Sequence, residues 1–252
     1  MKGKRGLIMG VANDRSIAWG IAKAVHDQGG ELAFTYQGDA LKKRVVPLAD
    51  SVGSKLVMPC DVTDHASIDA VFDGLKSAWG SLDFVVHAIA YANKDELKGR
   101  YVDTSFDNFQ MSMNISCYSF TAIAQRAEKM MPNGGSLLTL SYLGAERVMP
   151  HYNVMGVAKA ALESTSRYLA RDLGAENIRV NLVAAGPIKT MAAKSIPGFS
   201  DFEEVWNSRS PLAWDVTDPV PAAQAAVALL SDWFPKTTGE IIHVDGGVHA
   251  MG

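Results

Sequence analysis

The sequence has few cysteines and no long apolar run, and each absence removes a class of protein. Among 252 residues there are only two cysteines, Cys60 and Cys117, which lie far apart in apolar surroundings. This pattern suits a reducing cytosol better than a disulfide framework, and it offers no zinc site at the usual spacings. No apolar run reaches the roughly 18 residues of a membrane span. We therefore expect neither structural disulfides nor a transmembrane segment.

An excess of basic residues is also missing. The chain has 24 lysines and arginines against 27 aspartates and glutamates, for a net charge of −3. It thus lacks the basic surface expected of a general nucleic-acid binder. The first ten residues, MKGKRGLIMG, lead directly into a strand pattern without the hydrophobic region and cleavage site of a signal peptide. We expect a cytoplasmic protein that binds neither nucleic acid nor membranes.

What the sequence does contain is a regular alternation of short apolar runs and helix patterns. With 48% hydrophobic and 20% charged residues and no linker-like stretch, residues 1–252 are interpreted as one domain. The apolar runs predict strands at residues 6–10, 31–37, 55–60, 82–90, 136–140, 178–184 and 240–244. Strands that alternate with helices predict an α/β fold with a Rossmann-type, doubly wound parallel sheet of about seven strands. In such a sheet ligands bind at the carboxyl ends of the strands.

The first connection, GVANDRSIAWG, has features of a dinucleotide-binding turn. Gly10 ends the strand, Ser16 is a possible N-cap of the next helix, and Gly20 would permit close packing of that helix on the strand. This arrangement would direct backbone N–H groups at a pyrophosphate. The segment is a stretched relative of G-x-G-x-x-G, and a turn of this kind is more often a plain chain reversal than a cofactor site.

The ends of the second and third strands bear on the choice of nucleotide. Gln37 or Asp39 occupies the position where a dinucleotide fold meets the adenosine ribose. No arginine stands at the strand tip, which favours NADH over NADPH unless the cations at residues 42–44 in the next helix reach back. Asp61, after the third strand, either hydrogen-bonds an adenine amino group or caps the following helix.

The fourth strand is nearly continuous in its hydrophobicity and is predicted to be buried on both faces. The small side chains of Ala88 and Ala90 would let a flat ligand lie against the backbone. His87, inside the apolar run, is interpreted as a core histidine rather than a catalytic one. The polar residues 91–104 predict a surface loop, and residues 106–131 predict a long helix.

The segment 140–159 contains three candidate catalytic side chains. Tyr152 and Lys159 lie seven residues apart in a segment predicted to begin a helix near residues 152–155. Seven steps of about 100° make roughly 700°, so both side chains would project from one helix face, about 10 Å apart along the axis. A nearby ammonium lowers the pKa of a tyrosine, which makes Tyr152 a candidate proton donor. The strand 136–140 would direct Tyr142 into the same crevice. The competing interpretation is a half-buried aromatic residue beside a solvated lysine.

Residues 191–206, MAAKSIPGFSDFEEVW, interrupt the alternation between the sixth strand and a helix predicted at 221–231. An apolar, mobile flap above the site would suit a long acyl chain, and it would exclude water. A surface crossover hairpin of helices is the alternative.

Taken together, seven segments carry a family resemblance: GVANDRSIAWG, FTYQ, CDV, SYLGAERVMPHYNVMGVAKAALE, IRVN, AGPIKT and HVDGG. They resemble the NADH-dependent enoyl-acyl-carrier-protein reductases of bacterial fatty-acid synthesis, within the short-chain dehydrogenase superfamily. The resemblance covers essentially the whole chain. Its most specific part is the six-residue interval between Tyr152 and Lys159, with Tyr142 upstream, because generic short-chain dehydrogenases have only three residues between tyrosine and lysine.

The resemblance implies that NADH delivers a hydride to the β-carbon of a trans-2-enoyl thioester carried by acyl carrier protein, giving an enolate that is then protonated. Tyr152 would hydrogen-bond the thioester carbonyl or relay the proton, Lys159 would hold the nicotinamide ribose, and Tyr142 would orient the substrate. The implied cofactor-binding residues are Gly10, Ser16, Ile17, Gln37, Asp61, Val62, Ala88, Ile89, Ala90, Lys159, Ile188 and Thr190. The implied acyl pocket consists of Tyr142, Tyr152, Met155, Met191, Ala192, Ile196 and Phe199. The family is usually homotetrameric and cytoplasmic, and no metal is implied.

The chain departs from the family pattern at several positions. The family often has serine where this chain has Ala88 and Ala184, and glycine or a similarly small residue at Ala90. Trp214 replaces what is commonly an arginine. Asn114 lies where many short-chain dehydrogenases have an asparagine that supports a proton relay. These departures leave the tyrosine–lysine pair intact, so activity is expected.

Two other functions are kept as alternatives. A 3-ketoacyl or other carbonyl reductase on the same scaffold would pair a serine with the tyrosine, and Ser141 stands eleven residues before Tyr152. A nucleotide-sensing protein would have kept the fold and lost turnover, and the intact Tyr152 and Lys159 count against it.

Overall fold

The computed structural model describes residues 1–191, 193 and 198–252. Seven strands in this part of the chain form one sheet in the order β3-β2-β1-β4-β5-β6-β7, and each neighbouring pair is parallel. The strands are β1 (Arg5–Met9), β2 (Glu31–Tyr36), β3 (Leu56–Pro59), β4 (Phe84–His87), β5 (Gly135–Ser141), β6 (Ile178–Ala185) and β7 (Ile241–Val244). The strand order reverses between β1 and β4, which is where a doubly wound sheet opens a ligand crevice.

Helices cover both faces of the sheet. The α-helices of the described chain are α1 (Ile17–Asp27), α2 (Gly38–Ser51), α3 (His65–Trp79), α4 (Phe106–Met113), α5 (Ser119–Ala127), α6 (Val154–Leu173), α7 (Phe199–Arg209) and α8 (Val220–Leu230). One core layer packs α3, α5 and α6 on the sheet, and the other packs α1, α2 and α8. The predicted Rossmann-type fold is confirmed.

Strand β4 is shorter than predicted, because it ends at His87 rather than at residue 90. Its ladder partner β1 stops at Met9, and Gly10 then turns away with φ of 97°. A β-carbon at Gly10 would lie 2.0 Å from the carbonyl oxygen of Ala88, so only glycine permits this close approach. Residues 88–90 therefore leave the sheet as a loop beside the first turn.

Two helix predictions need correction at their boundaries. Helix α3 begins at His65, because the Asp64 carboxylate accepts a hydrogen bond from the backbone N–H of Ala66 (2.9 Å) and caps it. Asp61 is thus not the cap. The predicted long helix at 106–131 is α4 followed by a π-helical turn at Asn114–Tyr118, then α5 and a short 3₁₀ turn.

The buried polar and thiol groups have structural explanations. His87 is fully buried, with Nε2 2.8 Å from the Ser119 hydroxyl and Nδ1 3.2 Å from that of Thr139. Burial lowers the pKa of His87 to about 3, so the ring is neutral, and its interpretation as a core histidine is confirmed. Cys60 and Cys117 are both buried free thiols. None of the helices within the described ranges has the length and hydropathy that a membrane crossing requires.

Candidate active site

The Lys159 side chain is fixed to the end of β5. Its ammonium donates a hydrogen bond to the carbonyl of Leu140 (2.8 Å), and the residue is only 7% exposed. Burial lowers the pKa of this ammonium to about 8, while Cys117 and Glu163 act in the opposite direction. The alternative of a solvated lysine is therefore wrong.

Tyr152 lies just before α6 rather than on it, because α6 begins only at Val154. The residues on either side, His151 and Asn153, have φ values of 63° and 42°, which an α-helix does not allow. The Asn153 amide donates to the carbonyl of Gly99 (2.8 Å) and holds this turn against the 91–104 loop. The predicted pairing on one helix face is wrong: a strained turn places the tyrosine.

The pKa of Tyr152 is raised well above its ordinary value, mainly by burial and secondly by the carboxyl of Glu163. Lys159 is not among the causes of the shift, so the expected lowering by the ammonium is wrong. The residue is 8% exposed. Its phenol is neutral at physiological pH, which suits a hydrogen-bond or proton donor.

Tyr142 is surrounded by aromatic rings. Its ring centroid lies 5.0 Å from that of Tyr152 in an edge-to-face arrangement, 5.8 Å from Trp206 and 6.0 Å from Phe202. Burial and then the neighbouring Tyr152 raise the pKa of the Tyr142 phenol. Its hydroxyl oxygen is buried and has no hydrogen-bond partner among the described residues. A ligand in the crevice would supply that partner.

Both tyrosines face a cavity of about 470 Å³ at the carboxyl ends of the strands. Eight of the sequence-predicted site residues line it: Ile17, Ala90, Tyr142, Tyr152, Met155, Ile188, Thr190 and Phe199. The walls are mostly apolar, and a few polar groups lie among them. A volume of this size suits a small-molecule ligand.

Other predicted residues lie beside the cavity or away from it. Lys159 does not line the cavity, and Val62 and Ile89 belong to the core layer of α3, α5 and α6. Met191 is 42% exposed and touches the Arg44 guanidinium. Ala192 and Ile196 lie outside the described residues.

Ser16 occupies the predicted cap position of α1, but its side chain does not cap the helix. The Ser16 hydroxyl instead accepts hydrogen bonds from the backbone N–H groups of Ala12 and Asn13, each at 3.0 Å. It therefore shapes the loop between Gly10 and α1. No side chain in the described residues satisfies the first N–H groups of α1, which are left for a ligand.

The ends of β2 and β3 bring Gln37 and Asp61 together. Asp61 accepts hydrogen bonds from the hydroxyl (2.7 Å) and the backbone N–H (2.9 Å) of Thr63, which lower its pKa, and Gln37 contributes a further lowering hydrogen bond. Lys42 lies over the ring of Tyr36, 6.0 Å from its centroid. The described contacts of Lys42 and Arg44 are therefore with Tyr36 and Met191.

Of the predicted flap, Phe199 onward is the start of α7. Phe199 and Phe202 line the cavity, and Trp206 is fully buried with its indole N–H donating to the carbonyl of Asp245 (3.0 Å). Lys189, before the flap, pairs with Glu203 of α7 at 2.7 Å. The described part of the insertion thus contributes a helix to the wall of the cavity.

Trp214, one of the departures from the family pattern, has a clear structural place. Its indole N–H donates to the carbonyl of Pro187 (2.9 Å). A β-carbon at Gly186 would lie 2.7 to 2.8 Å from the indoles of Trp214 and Trp206. The two tryptophans therefore hold the Gly186–Pro187 backbone, which forms one edge of the cavity.

Sequence reasoning missed a group of cavity residues. Much of it belongs to the polar segment interpreted as a surface loop, and the full set is Tyr91, Ala92, Asn93, Lys94, Leu97, Ser141, Ala185, Gly186, Pro187, Ala193 and Phe202. Ser141 had been considered only for the carbonyl-reductase alternative. Leu97 is 3% exposed although polar residues surround it in sequence. A lone apolar residue in a charged loop was the one available signal.

The chain is similar to known proteins over nearly its whole length. The family model described as enoyl-(acyl carrier protein) reductase matches residues 10–249. Enoyl-acyl-carrier-protein reductase (NADH) 1 of Rhizobium meliloti is 60% identical over 255 residues, covering 100% of this chain and 92% of the relative.

Solved structures are equally similar. A crystal structure of the reductase of Anaplasma phagocytophilum in complex with NAD has a TM-score of 0.96 and 58% identity, covering 100% of this chain and 96% of that one. The Bacillus cereus enzyme with NADP⁺ and indole naphthyridinone has a TM-score of 0.96 and 49% identity, covering 100% and 98%.

Proposed function

The chain belongs to the enoyl-(acyl carrier protein) reductase family, and we propose how its own residues carry out the NADH-dependent reduction of enoyl thioesters. Tyr152 donates a hydrogen bond to the thioester carbonyl, Tyr142 orients the substrate, and Lys159 holds the nicotinamide ribose. The observation that carries this proposal is a buried, neutral Tyr152 in van der Waals reach of Tyr142, whose hydroxyl is unpartnered, at one cavity.

The described residues fit a dinucleotide. The glycine turn at Gly10 and the uncapped start of α1 suit a pyrophosphate, to which Ser16, Ile17 and Thr190 would be close. When bound, NADH supplies the hydride for the β-carbon of the substrate. Gln37 and Asp61 lie side by side where the adenosine end would bind. Val62 and residues 88–90 would contact the cofactor next to them, and the backbone of Ile188 would meet the nicotinamide carboxamide.

The two tyrosines act on the charge that develops at the thioester oxygen. A neutral phenol in a dry site stabilises an oxyanion by hydrogen bonding, and it loses no proton before the reaction. The Lys159 ammonium adds a positive charge nearby. The apolar side chains of Met155, Phe199 and Phe202 enclose the acyl chain and exclude water.

Ser141 is not available in the way that a carbonyl reductase requires. Its hydroxyl group donates a hydrogen bond to the carboxylate of Glu163. A serine so engaged does not present its hydroxyl proton to a substrate carbonyl. This observation supports enoyl rather than ketone reduction.

We propose, further, that residues 1–252 act as one dinucleotide-binding and catalytic domain, in a cytoplasmic homotetramer. Exposed apolar side chains on α4 and α6, among them Met111 and Tyr168, support association. Light scattering after size-exclusion chromatography should give about four times the chain mass of 27.1 kDa. A monomer at micromolar concentration would contradict the tetramer.

The function is tested by the loss of NADH absorbance with a trans-2-enoyl thioester, in parallel with NADPH and with a 3-ketoacyl thioester. We expect consumption with NADH and the enoyl substrate and none with the ketoacyl substrate. Consumption with the ketoacyl substrate alone would overturn the assignment. Nucleotide binding without any turnover would favour a sensor.

A further inference from the structure

Two side chains of α6 attach to consecutive residues at the end of β5. Lys159 donates a hydrogen bond to the carbonyl of Leu140, and Glu163, one helical turn later, accepts a hydrogen bond from the Ser141 hydroxyl. Ser141 and Glu163 are each 6% exposed. Tyr142 is the next residue of the chain. Because a buried carboxylate is costly, its presence beside the lysine calls for a function.

Glu163 faces Lys159 from the same helix. Cys117 of the π-helical turn and Glu163 both raise the pKa of the Lys159 ammonium. His87 of β4 is also close enough for the Lys159 charge to lower its pKa, and its ring is neutral. Among these three residues, Glu163 is the one with a carboxyl group. An ionised carboxylate near an ammonium favours the charged form of the lysine and opposes the effect of burial.

Glu163 is itself surrounded by charged and polar groups from several elements. Burial raises the pKa of its carboxyl, and the Ser141 hydrogen bond opposes that rise. Glu146, in the turn after β5, also raises it, while Arg167 of α6 and His243 of β7 lower it. Glu146 is paired with His243 at 2.9 Å, so it already has its own partner.

We propose that Glu163 is a positioning residue for the reduction: its carboxylate keeps Lys159 protonated, and through Ser141 it holds the end of β5 that carries Tyr142. The proposal rests on the role given above to Lys159. Glu163 acts through these neighbours and does not contact the substrate.

The first test is Glu163→Gln, whose amide oxygen still accepts the Ser141 hydrogen bond while the charge is removed. We expect the alkaline limb of the kcat/KM profile to move to lower pH by roughly one unit, because Lys159 loses its proton more easily. The same displacement is expected for the Lys159 ammonium in the cofactor-free protein, followed by NMR of ¹³C-labelled lysine and assigned with Lys159→Arg. This readout separates the proposal from the proposed function, since it requires no turnover.

Three variants complete the test. Glu146→Gln makes the same change at the neighbouring carboxylate and should leave the alkaline limb in place. Ser141→Ala keeps the charge of the Glu163 carboxylate and removes the hydroxyl that donates to it. We therefore expect kcat to fall while the alkaline limb of the kcat/KM profile stays in place. Glu163→Asp also keeps the charge and should keep the wild-type limb, even if Glu163→Gln fails to fold. The proposal is overturned by a folded Glu163→Gln whose limb superimposes on that of the wild type, or by a limb displaced in Glu163→Asp.

Discussion

Two regions of the cavity are built in different ways. The tyrosine–lysine cluster, which consists of Tyr142, Tyr152 and Lys159, lies at the junction of β5 and α6. It is held by the hydrogen bond of Lys159 to the backbone of β5 and by the packing of the two tyrosine rings. The apolar wall, which consists of Leu97, Phe199 and Phe202, comes from a loop and from α7 and is held mainly by aromatic contacts.

We infer from this difference that the cluster carries out the chemical step and that the apolar wall binds the substrate. Hydrogen-bonded groups at the end of a parallel sheet have defined positions, which a reaction with a developing charge requires. Apolar packing is less directional, so we expect the apolar wall to accept acyl chains of different length. Changes in the cluster should therefore reduce the rate of the chemical step, and changes in the wall should alter KM.

The largest effect is expected for Lys159→Ala. The change removes the positive charge near the reacting oxygen and the proposed contact with the nicotinamide ribose. We expect kcat/KM to fall by about 10³-fold, in the range of losing a transition-state contact, together with weaker NADH binding measured by fluorescence.

The matched control is Lys236→Ala, which removes an exposed lysine away from the cavity. It should leave both constants at wild-type values. Unchanged turnover in a folded Lys159→Ala would break the distinction between the cluster and the wall.

A smaller effect is expected for Phe199→Ala in the apolar wall. Loss of the ring removes contact with the acyl chain but leaves the reacting groups in place. KM for a long-chain enoyl thioester should rise by roughly 10-fold, equivalent to about two buried methylene groups, with kcat nearly unchanged and a C4 substrate little affected.

Phe234→Ala is the control, since Phe234 is partly exposed and does not line the cavity. A kcat that falls while KM stays constant in Phe199→Ala would assign the wall a part in the chemistry.

The smallest effect is expected for Tyr142→Phe. Its buried hydroxyl has no partner in the described residues, so removal of the oxygen should raise the free energy of unfolding of the ligand-free protein by about 1 kcal/mol. Turnover should fall only a few-fold, because the ring that orients the substrate remains.

Urea unfolding measures this change, with the exposed Tyr101→Phe, outside the cavity, as the neutral control. A loss of stability in Tyr142→Phe would mean that the hydroxyl already has a partner in the ligand-free protein.

The positions of the tyrosine–lysine cluster could be predicted from the sequence in part, because the cluster lies at the ends of a regular strand and a regular helix. The ends of parallel strands meet at one edge, so Tyr142 at the end of β5 could be placed at the crevice from the strand pattern, whereas Ile188 after β6 was placed there by the family resemblance. The position of Tyr152 was predicted with the wrong local structure. A helix pattern gives no sign of the positive φ values at His151 and Asn153, which delay the start of α6 until after the tyrosine.

The apolar wall was harder to predict for a physical reason. Leu97 lies in a charged loop, where neither the helical nor the strand period applies, and its burial depends on contacts far away in sequence. The pKa of Tyr152 was likewise misjudged, because burial depends on the whole fold whereas spacing gives only the neighbouring charge.

The central claim is that Tyr152 acts as a neutral donor on the chemical step, and a single-turnover experiment tests it most directly. Enzyme saturated with NADH and a trans-2-enoyl thioester is followed by stopped-flow absorbance in the wild type and in Tyr152→Phe. We predict a chemical step about 10²-fold slower in the variant, with the Kd for NADH unchanged. An unchanged rate, or a rate lost only through weaker NADH binding, would contradict the account.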